Sequence, residues 1–176
     1  MGLTPDQLGK IAIYLKEPKL SIFSDALNWA MAQFDILGLN QQAAFIAQVM
    51  HESGGCKYVR EIASGSAYEG RKDLGNTEKG DGVKFKGRGL IQITGRANYT
   101  ELGLAFKIDL VNNPELLEEP EYAAMSAAWF WNSRRLNRYA DGTAAGFITI
   151  TKRINGGTNG LKDRRMYWEL AKKILC

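Results

Sequence analysis

Two carboxylates stand nine positions apart in contrasting surroundings. Glu52 follows the run 43–50, in which Gln48 is the only polar residue, whereas Glu61 follows Lys57 and Arg60. A segment apolar on all sides reads as a core helix. Asn40 is the expected N-cap, and Gly54-Gly55 the expected terminator. Glu52 then falls in the last turn of that helix, on one face with Phe45, Gln48 and Val49. Apolar neighbours and the negative helix end both disfavour a charged carboxyl group there. Glu61, in a polar and basic segment, is expected to stay ionised. One protonated and one ionised carboxyl group are what general acid and general base catalysis require. The same spacing also fits a Glu52 that merely snorkels from a helix end and a Glu61 that is a surface charge. If Glu52 is a strained carboxyl, Glu52→Gln should leave thermal stability equal or higher.

The elements that must hold this pair are mostly helical. Thr4-Pro5-Asp6-Gln7 opens a helix to about Lys16, stopped by Pro18. A second runs from about Ser21 to Leu37 and ends at Gly38. From Gly54 to Gly89 periodicity is lost, apart from a short helix expected at 66–71. A loop segment of this length inside a compact domain is functional or disordered, and Tyr58, Tyr68 and Phe85 favour an ordered wall beside a site. Leu90–Thr94 reads as a strand with Gln92 and Thr94 on one side. Helices follow at 96–106, 120–131, 143–154 and 163–175, with a short one opened by Asn113-Pro114. The expectation is a mainly α chain, one mostly helical domain spanning 1–176 with a small β element.

Bulk properties narrow the function without choosing it. With 176 residues, 45% hydrophobic and 24% charged, the chain suits one soluble domain. Its net charge of +4, from 23 basic and 19 acidic residues, favours an anionic partner. The single histidine, His51, excludes an HExxH zinc site and leaves little for any other metal, so no metal or cofactor is expected. Cys56 and Cys176 read as free thiols. Basic residues are dispersed among acids, with no nucleic-acid motif. The start of the chain lacks signal-peptide features, and no apolar run approaches a membrane span. Synthesis in the cytoplasm is therefore expected, as a monomer without stable membrane insertion.

The segment 84–103, KFKGRGLIQITGRANYTELG, gathers groups suited to a sugar. Gln92, Thr94, Asn98 and Tyr99 combine amide, hydroxyl and phenol with an aromatic face, and Gly87 and Gly89 permit close backbone approach. A hydrogen-bonded turn is the competing reading. HESGG at 51–55, the Glu nine positions after Glu52, FKGRGLIQITGRANY at 85–99 and INGG at 154–157 occur in that order. Together they resemble the family-19 glycoside hydrolases, which include plant-type chitinases and many phage endolysins. YEGRKDLGN at 68–76 is similar to the loop of bacterial and phage members, so the phage endolysin branch is the expected one.

That resemblance covers about residues 40 to 170. It implies a mainly α, lysozyme-like α+β fold with two helical lobes around a substrate cleft and a small β element. It also implies a single catalytic domain over 1–176 with no separate wall-binding domain, and β-1,4-glycoside hydrolysis with inversion. Residue by residue it implies Glu52 as acid, Glu61 as base and Thr94 as the hydroxyl that helps hold the attacking water. Gln92, Asn98, Asn155 and Arg164 correspond to cleft positions that contact the sugar chain or support the carboxylates. Tyr68 and Tyr99 join the expected substrate-binding set, and His51 is expected to steady Glu52. Inversion needs the two carboxyl groups roughly 6.5–9.5 Å apart to admit a water. Glu69, in the same loop, is the rival base.

The resemblance and the short loops imply peptidoglycan, cleaved between N-acetylmuramic acid and N-acetylglucosamine during bacterial cell lysis, with export through a partner pore. Chitin hydrolysis and a non-catalytic glycan-binding module are the alternatives. Trp129-Phe130-Trp131 reads as core more readily than as a sugar platform. The basic clusters at 134–138 and 162–165 read as solvated faces, with wall carboxylates as the other possibility.

Overall fold

Helix α3 (Leu39–Ser53) is the element the others pack around. All of 42–50 is buried, as its composition predicts. A computed structural model describes residues 2–175. In it, helices α1 (Pro5–Ile11) and α2 (Lys19–Gln33) precede α3, and α6 (Pro120–Ser133), α7 (Ala144–Asn155) and α8 (Leu161–Leu175) complete the surrounding shell. Helix α3 packs on α8 and α6, α2 on α6, and α1 on both α2 and α8. The core is dense in aromatic contacts. Phe45 meets Trp131 edge-on at 5.6 Å, and Phe147 stacks on Trp168 at 4.5 Å. Each such buried side chain contributes about 1.5–3 kcal/mol.

Several boundaries differ from expectation for identifiable reasons. Helix α1 stops at Ile11, before Lys16, and the chain turns so that Leu15 is buried while Ile13 and Tyr14 face solvent. Helix α2 ends at Gln33. Asp35 takes φ 54, which lets the Ile36 amide reach back to the Met31 carbonyl and buries Ile36. Asn40 is not the cap of α3. Gly38 is, and the Gln41 side chain accepts hydrogen bonds from the Gly38 and Leu37 amides. Gly54, at φ 59, ends the helix where the sequence places its end. Cys56 is a buried thiol, pushed up to about 12 by burial, and Cys176 lies outside the described residues.

The second lobe is built from the glycine-rich stretch. The short helices α4 (Asp81–Lys84) and α5 (Arg96–Phe106) pack on 3-10 turns at Ser66–Tyr68 and Lys72–Leu74, respectively. The β element is minimal. Among the described residues it consists of isolated antiparallel bridges, Arg60 with Arg88 and Arg88 with Ile93. Residues 90–94 form no strand, because Gln92 adopts φ 56 and turns the chain back on itself.

This lobe buries Phe85, Ile93, Tyr99 and Leu102, and charge and backbone bonds fasten its loops. Arg96 grips the buried Asp81 through Nε at 2.9 Å and Nη2 at 2.6 Å, and its amide donates to Asn76. Asn76 in turn donates to the Tyr68 carbonyl. Both oxygens of Glu69 accept backbone N–H bonds, from Gly80 at 2.7 Å and Gly82 at 2.8 Å. Gly82 has no room for a side chain, since a Cβ would lie 2.5 Å from the Glu69 amide nitrogen.

Those backbone bonds hold the Glu69 carboxyl below its ordinary value of 4.5. A depressed folded value means that the stabilisation is fully present above 4.5 and is lost as pH falls through the folded value. Asp81 is lowered in the same way by Arg96. Hydrogen exchange at the Gly80 and Gly82 amides should therefore accelerate in acid beyond the intrinsic rate. Glu69→Gln should give fast exchange already at neutral pH. Unchanged protection in that variant would show that Glu69 does not fasten the loop.

Candidate active site

The expected site residues fall into two groups, one on each lobe. The first surrounds Glu52 in the last turn of α3. Arg164, on α8, is 2% exposed and distributes three nitrogens among three acceptors. Nη2 donates to Glu52 Oε1 at 2.5 Å, Nη1 to Gln48 Oε1 at 2.5 Å, and Nε to the Asn159 carbonyl at 3.2 Å. Gln48 donates onward to Thr151 of α7 at 2.9 Å. Asn155 belongs to the same network, because its Nδ2 donates to the Asn159 carbonyl at 2.9 Å. His51 Nδ1 meets Asp163 Oδ2 at 2.6 Å, a second tie between α3 and α8. Gly160, at φ 68, leaves room for that imidazole, since a Cβ there would lie 2.2 Å from it.

This setting corrects one expectation, for the apolar neighbours of Glu52 are joined by a guanidinium bonded to it. Of the two roles expected of Arg164, sugar contact or support of a carboxylate, the structure shows the second: it is buried and bonded to Glu52.

The second group surrounds Glu61. Its Oε1 accepts from the Tyr68 hydroxyl at 3.0 Å, and its Oε2 from the Gly87 amide at 3.0 Å. Its own amide donates to the Gly87 carbonyl at 2.8 Å, so the bridge between 59–61 and 87–89 fixes both ends of the residue. Burial first, and then the bond to Glu61, raises the Tyr68 hydroxyl above its ordinary value and keeps it a donor. Gly87 is the contact point between Glu61 and Gln92. A Cβ on it would lie 2.9 Å from Gln92 Oε1 and 3.3 Å from Glu61 Oε2. Gln92 is held by its bond to the Gly89 carbonyl, Thr94 Oγ1 donates to the Gln92 carbonyl, and Asn98 donates to the Thr94 carbonyl. A left-handed non-glycine residue at such a point is the kind of local strain that clusters at functional sites.

Gln92, Thr94 and Asn98 line a groove of about 410 Å³ with Trp129, Phe130 and Arg134 from the end of α6. Tyr99 does not belong to it. That side chain is fully buried, donates to the Lys86 carbonyl and accepts from Arg88, so the expectation that it touches substrate is overturned. Its helical position points it into the lobe, away from Asn98. Glu69 is committed to the Gly80 and Gly82 amides, whereas Glu61 meets Gln92 across Gly87; Glu101 also lines the groove. Sequence reasoning missed Asn159, whose contribution is a carbonyl, and Asp163. It also assigned Trp129 and Phe130 to the core, although only Trp131 of that triplet is buried.

Comparisons with known proteins give the family and the fold. A family model described as "Chitinase class I" matches residues 35–140. A Haemophilus influenzae protein described as a glycosyl hydrolase family 19 domain-containing protein is 30% identical over 155 residues, with 70% of this chain and 74% of that protein covered. An endochitinase of Pisum sativum is 34% identical over 147 residues, covering 65% of this chain and 45% of its own length. The chain thus spans less than half of that plant relative. Among solved structures, chitinase C of Streptomyces griseus matches with a TM-score of 0.75 at 25% identity, covering 98% of this chain and 92% of its own. A bacterial family 19 chitinase matches with a TM-score of 0.77 at 25% identity, covering 98% and 94%. The lysozyme-like helical fold and these relatives define a glycoside hydrolase. Within that class the chain belongs to glycoside hydrolase family 19.

The Arg164–Glu52 pair reverses the stability expected for Glu52→Gln. The buried guanidinium would keep an oxygen acceptor but lose its counter-charge, and half-broken buried pairs are destabilising. With Glu52 23% exposed, a loss of about 1–2 kcal/mol is expected, below the range for fully buried pairs. A thermal melt of the variant at or above the wild type would show that Glu52 is strained rather than held.

Proposed function

We propose that Glu52 and Glu61 are the acid and base of an inverting hydrolysis of β-1,4-linked N-acetylhexosamine chains. The observation that carries this reading is the placement of one partly exposed carboxyl group on each lobe, each held by hydrogen bonds from the residues around it. Glu52 sits on a rigid helix end, partly exposed and fixed by one guanidinium. Glu61 sits on the loop wall with both oxygens accepting from neutral donors, the arrangement of a carboxylate that receives a proton from water. Thr94, two residues from Gln92 on the groove wall, helps hold that water. Gln92, Asn98 and Asn155 keep free hydrogen-bonding capacity for sugar hydroxyl and acetamido groups. Protonation of the glycosidic oxygen and attack by water on the opposite ring face complete the reaction.

The substrate we propose is peptidoglycan, cut between N-acetylmuramic acid and N-acetylglucosamine by a phage-type endolysin that acts on the bacterial wall. The net charge of +4 supports an anionic polymer, and the loop at 68–76 supports the bacterial and phage branch. A second reading, chitin hydrolysis, is favoured by the relatives described as endochitinases and chitinases. Mass spectrometry of products from purified sacculi and from chitin oligomers separates them. Reducing-end N-acetylmuramic acid from sacculi supports the first. Intact sacculi beside cleaved chitin would replace it with the second.

Whichever polymer is cut, Glu52→Gln and Glu61→Gln should each lower turnover by about 10²-fold or more, the scale of general acid–base catalysis. Glu69→Gln should retain most turnover at neutral pH. A Glu69→Gln enzyme as inactive as Glu61→Gln would move the base to Glu69.

A further inference from the structure

Arg134 follows α6 and lines the groove, and among the described residues no carboxylate forms an ion pair with it. Most of the neighbouring arginines are engaged. Arg164 holds Glu52, Arg88 holds Glu118, Arg96 holds Asp81 and Glu78, and Arg138 and Arg153 lie over the Tyr139 ring. The Arg134 guanidinium instead lies flat on Phe130, 3.5 Å from the ring centroid, and makes one long bond to the Ser133 hydroxyl. Glu101 shares the groove and its field reaches Arg134, but among the described residues no carboxylate forms an ion pair with that arginine.

Stacking removes water from one face of the cation, and this desolvation lowers it from its ordinary value. An arginine so placed remains charged at neutral pH. Its face is occupied by the ring, and apart from the long bond from Nη1 to Ser133 its edge N–H groups have no partner among the described residues. That edge is the part of a guanidinium that binds a carboxylate with two parallel hydrogen bonds. The position is also specific, since Gln92, Thr94 and Asn98 line the same groove.

We propose that Arg134 forms a carboxylate-binding subsite of this groove, taking the acid carried on the 3-O substituent of alternate sugars in the glycan strand. This rests on the peptidoglycan reading, for chitin carries no such group. Two carboxylates share this chemistry, the lactyl acid of muramic acid and the acids of its peptide stem. Phe130 holds the guanidinium ready, so little side-chain freedom is lost on binding.

The test compares kcat/KM on three substrates: peptide-bearing glycan strands, strands stripped of peptide by an amidase, and chitin oligomers. In Arg134→Gln the ratio of acidic to neutral substrate should fall about tenfold, as the loss of a charge-assisted pair implies. Arg134→Lys should recover part of it. The lactyl carboxyl is amide-bonded wherever a peptide is attached and is free only on stripped strands. A fall confined to peptide-bearing strands therefore assigns the stem acid, and a fall confined to stripped strands assigns the lactyl acid. A fall on both means that the subsite takes either. Equal loss on all three substrates, or no loss on any, overturns the subsite while leaving the peptidoglycan reading intact. A wild type that cleaves only chitin oligomers overturns both. Chemical amidation of the strand carboxylates tests the same contact from the ligand side. It should lower wild-type cleavage as the substitution does, and undiminished cleavage of amidated strands overturns the subsite.

Discussion

The buried guanidinium of Arg164 is the constraint on which the first lobe depends. It costs several kcal/mol to desolvate such a charge, and only a full set of acceptors offsets that cost. Glu52, Gln48 and the Asn159 carbonyl supply them from α3 and from the turn before α8. The bond to Glu52 therefore belongs to the packing of α3 on α8 as much as to chemistry. Lysine could not replace it, since one ammonium cannot span three acceptors in a planar fork. The same geometry fixes Glu52 to within a rotamer, which an acid delivering a proton to one oxygen requires.

The second lobe solves the positioning problem differently. Glu61 stands on a stretch with little regular structure, and its place is set by backbone contacts with Gly87 and by the Tyr68 hydroxyl. Tyr68 is in turn held through Asn76, which bonds the amide of Arg96 at the start of α5. Charge pairs and amide bonds thus fasten these loops, as apolar area fastens α3. Such a lobe opens locally more readily than a helix core. Under the proposed mechanism, a base on an adaptable wall can close on a sugar chain, whereas an acid needs a fixed direction.

What was legible in the sequence follows this division. The apolar run before Glu52 and the Gly-Gly stop after it fixed α3 and the place of the carboxylate, because burial and helix termination are local signals. The glycoside hydrolase family was legible in motifs held in order. Contacts made at long range were legible only through that resemblance, which offered Arg164 as a sugar contact or a support for the carboxylates. Arg164 lies 112 positions from Glu52, and nothing local to either residue marks the pair. Tyr99 read as a sugar contact because a phenol beside Asn98 is ambiguous until the helix phase is known. Gln92 read as strand because apolar alternation does not reveal a positive φ. Asn40 read as a cap because Gln41, one residue on, performs that task from within the helix.

The aromatic triplet shows how one helix serves both lobes. Trp131 is buried against Phe45 and belongs to the α3 core, while Trp129 and Phe130 emerge on the groove with Gln92, Thr94 and Asn98. Three consecutive residues on a helix span about 200° of its circumference, so they cannot all face one side. Core packing of Trp131 therefore aims its neighbours outward, and the residue that follows the helix, Arg134, is folded back over Phe130. The groove wall is thus a by-product of how α6 meets α3. A change at Trp131 made only for stability would rotate the polar and charged groups that face the substrate.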